Sequence, residues 1–268
     1  MTRLVQFEAN AGYYWLLEAA IKSFMRFNPG WSVYVSDIGL TPEQRDELAA
    51  FAIVRPYKAD DNTRWPSSMA RVQTMLDIGK DYDLFLHLDA DTLTFGSIDS
   101  LATAFAAAPV DMAATPGIPN WRHVIVRDVV RPLIPNFNAW LDQPGHNAGF
   151  LLSRGNITSR LASDILELRT RLSGVLTNHD EAPIAILVGA GKYSMMTIDR
   201  AYNCTDVLCA ETNPALFNPP LMAGGSPIVI AHIPAHKNAI FQLDGSRSSA
   251  SLWWRQMLAR YRDEPWPK

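Results

Sequence analysis

Long apolar runs, a cysteine framework and an excess of positive charge are all missing from this sequence. No run of about 18 apolar residues occurs, and the first eight residues lack the apolar core of a signal peptide. The two cysteines, Cys204 and Cys209, match neither a zinc pattern nor a disulfide framework. A net charge of −3 without a basic cluster gives no electrostatic basis for a nucleic-acid partner. These absences predict a cytoplasmic protein without a transmembrane segment, at most peripheral to a membrane.

Glycine-rich phosphate loops are missing as well. No Gly-x-Gly-x-x-Gly follows the first apolar run, and no Gly-x-x-x-x-Gly-Lys occurs anywhere in the chain. A phosphate ligand would therefore need another source of charge neutralisation. A divalent cation held by two carboxylates provides it, because magnesium and manganese favour oxygen ligands and bridge to substrate phosphates.

What is present is the pattern of an α/β protein. With 48% hydrophobic and 19% charged residues over 268 positions, the chain can build a sizeable core. Short apolar runs alternate with helical periodicity through the first ninety residues, which indicates a parallel sheet wound in the Rossmann manner, with strand order 3-2-1-4. The predicted strands are 4–7, 31–35, 53–57 and the run that begins at 84, and the predicted helices are 13–27, one starting at Thr41-Pro42, and 67–78.

Two aspartates follow the fourth predicted strand. In an extended backbone, positions i and i+2 point to the same side, so Asp89 and Asp91 can converge on one cation. The alternative is an ordinary turn, in which aspartate is common. Strands one and four are neighbours at the point where the winding reverses, and ligands of such sheets bind there, beyond the carboxyl ends of the strands. This position favours a ligand cleft, with residues 8–10 beside the pair.

The second half of the chain is less regular. The segment 116–145 holds five prolines and fits either a functional loop or an ordinary packed excursion. A strand is predicted over 146–152, and a helix over 156–172. Asp180 and Glu181 precede an apolar run and could equally serve as helix-start residues.

A last apolar run, 227–232, ends in His232, which is as compatible with a structural role as with a ligand. Neither an internal repeat nor a linker interrupts the chain. The expected organisation is one domain over 1–240, with a helical appendage over 241–268 packed on the same domain.

Taken together, these segments resemble the GT-A glycosyltransferases, within them the retaining family 8-like group that includes glycogenin and bacterial lipopolysaccharide galactosyltransferases. The resemblance implies a single GT-A (Rossmann-like) nucleotide-diphospho-sugar transferase domain, with a mixed, mostly parallel sheet flanked by helices. It covers about residues 1–240 and rests, in chain order, on Asn10 and Tyr13, 36–41, 65–66, 86–92, 146–150, 180–181, and His232 with Lys237.

The resemblance also implies roles for individual residues. Asp89, Asp91 and His232 would hold Mn²⁺ or Mg²⁺. The residues implied as catalytic are Asn147, Asp180 and Glu181, and those implied in binding the nucleotide sugar are Asn10, Tyr13, Arg71, Asp89, Ala90, Asp91, Ala148, Gly149 and Lys237.

The implied reaction moves a sugar from a nucleoside diphosphate, UDP-hexose by resemblance, to the hydroxyl of a glycan, a lipid-linked acceptor or a small molecule, with retention. The family leaves two routes to retention open, front-face attack and a covalent intermediate on a side chain beneath the sugar. Two departures from the family bear on it. Glu181 stands where the family usually has glutamine, and a carboxylate there could be a nucleophile or, in an inverting reaction, a base. The sequence around Lys237 departs from the family's Gly-x-x-Lys-Pro-Trp ending, which leaves His236 as an alternative.

Three other functions compete with this interpretation. One is a nucleotidyltransferase on a similar sheet, but the glycine- and lysine-rich loop that it needs after the first strand is missing. Residues 89–93 are similar to the first motif of haloacid-dehalogenase-like phosphatases, but that motif usually lies on the first strand and needs a later Gly-Asp-x-x-x-Asp pattern, which is missing. A non-catalytic sugar-nucleotide-binding module would bind the donor with metal and catalyse neither transfer nor hydrolysis.

Overall fold

A computed structural model describes residues 1–58, 66–117, 127–172, 181–205, 222–223, 226–232 and 249–266. Its strands are β1 Arg3–Ala9, β2 Ser32–Asp37, β3 Ile53–Pro56, β4 Leu84–Leu88, β5 Thr92–Thr94, β6 Met112–Pro116, β7 His146–Arg154, β8 Met195–Thr197, β9 Met222–Ala223, β10 Ser226–Pro227 and β11 Ile230–His232. Its α-helices are α1 Tyr14–Phe27, α2 Pro42–Ala49, α3 Pro66–Ile78, α4 Asp99–Ala107, α5 Arg127–Val130, α6 Phe137–Leu141, α7 Gly155–Arg171, α8 Glu181–Gly189 and α9 Ser249–Asp263.

The main sheet has seven strands in the order β3-β2-β1-β4-β7-β6-β8. β1 pairs in parallel with both β2 and β4, and β2 pairs in parallel with β3. β7 runs antiparallel to β4 and β6, whereas β8 is parallel to β6. This confirms the predicted α/β class, the mixed and mostly parallel sheet, and the 3-2-1-4 order of its first half.

The central strands are apolar along most of their length because helices cover both faces of the sheet. All five residues of β4 are buried, and successive side chains enter opposite cores. Phe85 packs with Leu161 and Ile165 of α7, while Leu86 belongs to the core beneath α1. The sheet therefore separates two hydrophobic layers.

One local signal acts as the sequence predicts, and one open alternative is decided by the structure. Thr41 and Gln44 form a reciprocal capping box at the start of α2, with backbone-to-side-chain distances of 3.3 and 3.0 Å. The described part of 116–145 is a packed excursion, since Val130, Phe137 and Trp140 are buried in the core.

The C-terminal helix α9 packs on the same body. Leu258 and Tyr261 are buried against Leu16 of α1. Beyond the helix, Trp266 stacks on Phe51 with ring centroids 4.5 Å apart. The division at residue 240 stays a prediction. In the described ranges, no helix combines the length and apolar character needed to cross a membrane.

The acidic pair lies in a turn, not in a continuous strand over 84–92. The Thr92 hydroxyl donates to the carbonyl oxygen of Asp89 at 2.8 Å, which closes the turn between β4 and β5. β5 leaves the main sheet and pairs antiparallel with β11, in a register that sets His232 opposite Thr92. The chain thereby brings a histidine from far downstream to the end of β4.

Candidate active site

A cleft of about 420 Å³ opens beyond the carboxyl ends of β1 and β4. This is the location that the winding of the sheet predicts. Its lining combines β1 and β2 loop residues, the start of α3 and the acidic turn. Six residues of the sequence-based site are part of it: Asn10, Tyr13, Arg71, Asp89, Ala90 and Asp91.

Asp89, Asp91 and His232 converge at the edge of this cleft. Nε2 of His232 lies 3.3 Å from Oδ2 of Asp89 and 3.2 Å from Oδ1 of Asp91. One ligand atom from each of the three residues lies within 4.8 Å of the other two. His232 and Asp91 are each 3% exposed, while the Asp89 side chain is 27% exposed towards the cleft. The three side chains thus form a compact set, in which Asp91 and His232 are buried and Asp89 is partly exposed.

This set fits a divalent cation. Two carboxylates and one imidazole suit manganese, and magnesium tolerates them. Within the described ranges, neither ring nitrogen of His232 makes a well-formed hydrogen bond, although the ring is buried. Gly149 adds a cradle, because a Cβ there would lie 2.5 Å from Cε1 of His232 and 2.7 Å from Oδ2 of Asp89. A side chain at this position would displace the two ligand groups.

The charges in the cluster shift one another. Burial alone would lower the pKa of His232, but the charge of Asp91 and the contacts with both carboxylates raise that pKa to about 9. Burial would raise the pKa of Asp89, but its contacts with His232 and His87, together with the Arg71 charge, hold that pKa well below its ordinary value. Without a cation, the site is therefore an ion pair of imidazolium and carboxylates at neutral pH.

Arg71 extends the cluster into the protein. Its Nη2 lies 3.1 Å from Oε1 of Glu8 and 3.0 Å from Oδ1 of Asp89, and its Nη1 donates to the carbonyl oxygen of Ala148 at 3.2 Å. The guanidinium is buried and ties α3 to β1, to the acidic turn and to β7. Its contact with a donor, implied by the resemblance, stays a prediction.

Two further polar residues of the site, Gln6 and His87, were not among the predicted ones, whereas Glu8 was expected beside the acidic pair without a role of its own. Gln6 and Glu8 alternate on β1, as His87 and Asp89 do at the end of β4, and the two strands are neighbours. Ring nitrogens of His87 lie 2.9 Å from Oε1 of Gln6 and 3.1 Å from Oδ1 of Asp89. The sequence contained a signal for these residues, since polar residues at i and i+2 in otherwise apolar strands indicate a polar face.

The outer part of the cleft, near Asn10, is shaped by two capped loops. Oδ1 of Asn10 accepts hydrogen bonds from the backbone N–H groups of Gly12 and Tyr13 at 3.0 and 3.2 Å and so starts the turn into α1. Asp37 accepts from the backbone N–H groups of Gly39 and Leu40, at 2.8 and 2.6 Å. Asn10 therefore has a structural role whether or not it contacts a nucleotide.

A second, smaller cavity lies where β6 and β7 meet α8. Oδ1 of Asn147 accepts from the backbone N–H of Gly149 at 2.7 Å and from Nδ2 of Asn203 at 2.9 Å. Oε1 of Glu181 accepts from the backbone N–H of Ala148 at 3.3 Å. Asn147, Ala148 and Glu181 thus share one lining, and their roles at a sugar stay predictions. Asp180 and Lys237 lie outside the described residues.

Asn203 is a site residue that sequence reasoning missed. Its Nδ2 also contacts Oγ1 of Thr115 at 3.2 Å, and the side chain is buried. The carbonyl oxygen of the next residue, Cys204, accepts a hydrogen bond from the backbone N–H of His232 at 2.9 Å. This short segment thus supports both the acidic cluster and the second cavity. A single asparagine in irregular sequence carried no signal that could have found it.

No family model and no curated protein matches the sequence. Solved structures do match the fold. A structure of the galactosyltransferase LgtC with donor and acceptor sugar analogs is 15% identical with a TM-score of 0.65, covering 98% of this chain and 97% of that one. The glycosyltransferase GlyE of Streptococcus pneumoniae TIGR4 is 18% identical with a TM-score of 0.62, covering 99% of this chain and 61% of that one.

Apo mouse xyloside xylosyltransferase 1 is 15% identical with a TM-score of 0.57, covering 88% of this chain and 98% of that one. At this level of identity the similarity concerns the fold. The chain has the GT-A fold, resembling LgtC over nearly its whole length.

Proposed function

We propose that this protein is a glycosyltransferase that moves a sugar, by resemblance a hexose from UDP, to an acceptor hydroxyl with the help of Mn²⁺ or Mg²⁺. The observation that carries the proposal is the convergence of Asp89, Asp91 and His232 at the edge of the cleft, in a fold shared with glycosyltransferases. A fold alone does not define an activity, so the site bears the argument.

The charge balance of the cleft supports a diphosphate ligand only together with a cation. Glu8, Asp89 and Asp91 bring three carboxylates, and Arg71 is already paired with two of them. A divalent cation would screen these charges and stabilise the negative charge that develops on the departing diphosphate. The residues that would hold it are Asp89, Asp91 and His232.

The sugar would lie between the cluster and the second cavity. Gly149 adjoins both, since its missing Cβ would contact His232, Asp89 and Asn147. Because Oδ1 of Asn147 accepts from Gly149 and Asn203, the opposite, NH₂ end of the amide is the part that can donate to a sugar hydroxyl. By the resemblance, Asp180 would accept from the sugar hydroxyls and Lys237 would contact the pyrophosphate.

Glu181 is the proposed reactive carboxylate at the sugar. It starts α8, and its Oε1 faces the Ala148 N–H on the floor of the second cavity. Under retention it would act as a nucleophile beneath the sugar, and under inversion as a base for the acceptor hydroxyl. The resemblance favours retention.

The nucleotide would occupy the outer part of the cleft, where Tyr13 and Asn10 belong to the lining. Stacking on an aromatic ring accepts any base. The preference for UDP over GDP therefore rests on the resemblance.

Calorimetry tests the proposal directly. UDP, GDP and a phosphomonoester are titrated into the protein with and without Mn²⁺, and hydrolysis or transfer of UDP-hexose is then measured. UDP binding that requires Mn²⁺ and is lost in Asp91→Ala supports the proposal. Binding of neither nucleotide, together with phosphatase activity, overturns it in favour of a phosphatase. Metal-dependent binding with neither transfer nor hydrolysis overturns the enzymatic part and leaves a binding module.

A further inference from the structure

A chain of buried polar side chains runs beneath the cleft, on the face of the sheet covered by α3. Gln6 and His87 are fully buried, and Glu8 and Arg71 are 7% and 6% exposed. Apolar residues would be expected between a central sheet and a packed helix. Buried polar groups are costly unless they are satisfied, so a network of this kind needs a function to account for it.

His87 is the centre of this network. Its Nδ1 lies 2.9 Å from Oε1 of Gln6 and 3.4 Å from Oε2 of Glu8. Its Nε2 lies 3.1 Å from Oδ1 of Asp89. The ring is therefore held from one side by β1 and touches the acidic turn with the other.

The two oxygens of Asp89 face different surroundings. Oδ1 receives both Nε2 of His87, at 3.1 Å, and Nη2 of Arg71, at 3.0 Å. Oδ2 faces Nε2 of His232 at 3.3 Å and the space beside Gly149. A carboxylate at the end of a strand would otherwise rotate about its terminal torsion, which is broad for aspartate.

We propose that His87 is a positioning residue that fixes the carboxylate of Asp89, so that Oδ1 stays on the protein side and Oδ2 is presented to the cation. Gln6 and Glu8 orient the ring for this purpose. The inference rests on the proposed metal site and concerns residues that the family resemblance did not assign. Supporting partners of metal ligands typically contribute about 10- to 100-fold to metal affinity.

Two substitutions at this position form a matched pair. His87→Asn keeps an amide near the place of Nδ1 and cannot reach Asp89, whereas His87→Gln carries its amide nitrogen near the place of Nε2 and can donate to Oδ1. Both are polar and differ by one methylene. The full chain without nucleotide is titrated with Mn²⁺, and free Mn²⁺ is measured by electron paramagnetic resonance. Circular dichroism and thermal unfolding report the fold.

The expected result is Mn²⁺ binding weakened about 10- to 100-fold in His87→Asn and held within about threefold of wild type in His87→Gln. Equal weakening in both variants overturns the proposal, because it indicates general disruption of the core. Unchanged affinity in His87→Asn also overturns it and leaves the proposed function standing. A wild-type protein that does not bind Mn²⁺ overturns the metal site and this inference together.

Should His87→Asn fail to fold, nitrogen NMR of the wild type decides. With ¹⁵N-labelled histidine, the Nε2 of His87 is expected to carry a proton that exchanges slowly and persists when Mg²⁺ is added. An unprotonated Nε2 could not donate to Asp89 and would overturn the proposal.

Discussion

The two ends of the candidate site are built by different halves of the sheet. At the parallel end, the carboxyl ends of β1 and β4 gather ionised groups: Asp89 contacts Arg71, His87 and His232 within 3.3 Å. At the antiparallel end, β6, β7 and α8 present the amide of Asn147, backbone N–H groups and the carboxylate of Glu181. One end is organised around a cluster of charges, and the other around amide groups and a single carboxylate.

This difference matches the two parts of a nucleotide sugar. A diphosphate needs strong, preorganised charge, and Asp89 at the end of β4 is held by contacts with Arg71, His87 and His232. A neutral sugar needs amides and hydroxyl-sized spaces. If one end binds the diphosphate and the other binds the sugar, substitutions at the two ends should separate nucleotide binding from turnover.

Asp91→Asn should have the largest effect. It removes one charge of the cluster with little change in volume, so Mn²⁺-dependent UDP binding should disappear and transfer should fall about 1,000-fold. Calorimetry and a transfer assay measure the two losses. Asp46→Asn, at an exposed position on α2, is the control and should change neither. Full UDP binding in Asp91→Asn would break the assignment of charge to this end.

Glu181→Gln should separate the ends most clearly. The amide keeps the hydrogen bond from Ala148 but cannot serve as a nucleophile or base, so turnover should fall about 300-fold with Mn²⁺-dependent UDP binding retained. Steady-state kinetics and the anomeric configuration of the product are the measurements. Turnover close to wild type with unchanged stereochemistry would refute the reactive role of Glu181. Glu167→Gln, exposed on α7, is the matched control.

Gly149→Ala should damage both ends at once. The new Cβ would lie 2.5 Å from Cε1 of His232 and 2.8 Å from Oδ1 of Asn147, so both groups must move. We expect Mn²⁺ affinity and turnover to drop about 50-fold while the protein stays folded. Gly30→Ala provides the comparison, because a Cβ there meets no atom within 4 Å. Equal activity of the two alanine variants would contradict the shared boundary.

Counted per pH unit, the pH dependence of metal binding should be the smallest of these effects, and it is confined to the charged end. The pKa of His232 is raised from 6.5 to about 9, so below that pH a cation must displace its proton. Mn²⁺ affinity should therefore rise with pH, about tenfold per unit between pH 6 and 8. Titrations at several pH values measure the slope, which His232→Gln should remove. A flat profile in the wild type would contradict the raised pKa of His232.

Local patterns were sufficient for most of the fold. Alternating apolar runs and helical periodicity predicted the parallel half, and the Thr41-Pro42 start of α2 appears as expected because its capping chemistry is contained within four residues. The predicted strand order alone then indicated that Asp89 and Asp91 lie at a cleft.

The remaining features depend on contacts between distant segments. The turn between β4 and β5 follows from a side-chain hydrogen bond of Thr92 and from the pairing with β11, neither of which has a periodic signal. The contact of Gln6 with His87 could have been predicted from alternation, because the predicted strand order already makes β1 and β4 neighbours. Asn203 depends entirely on tertiary packing.

The pairing of β5 with β11 has a consequence for how the protein folds. Thr92 and His232 lie about 140 residues apart in sequence yet face each other across two three-residue strands. Closing so long a loop carries an entropic cost, and the few contacts between these two short strands offset little of it. The pairing of β5 with β11 should therefore form late in folding. A cation held by Asp89, Asp91 and His232 would link β11 to the turn after β4. It would raise the unfolding temperature in proportion to the logarithm of the metal concentration.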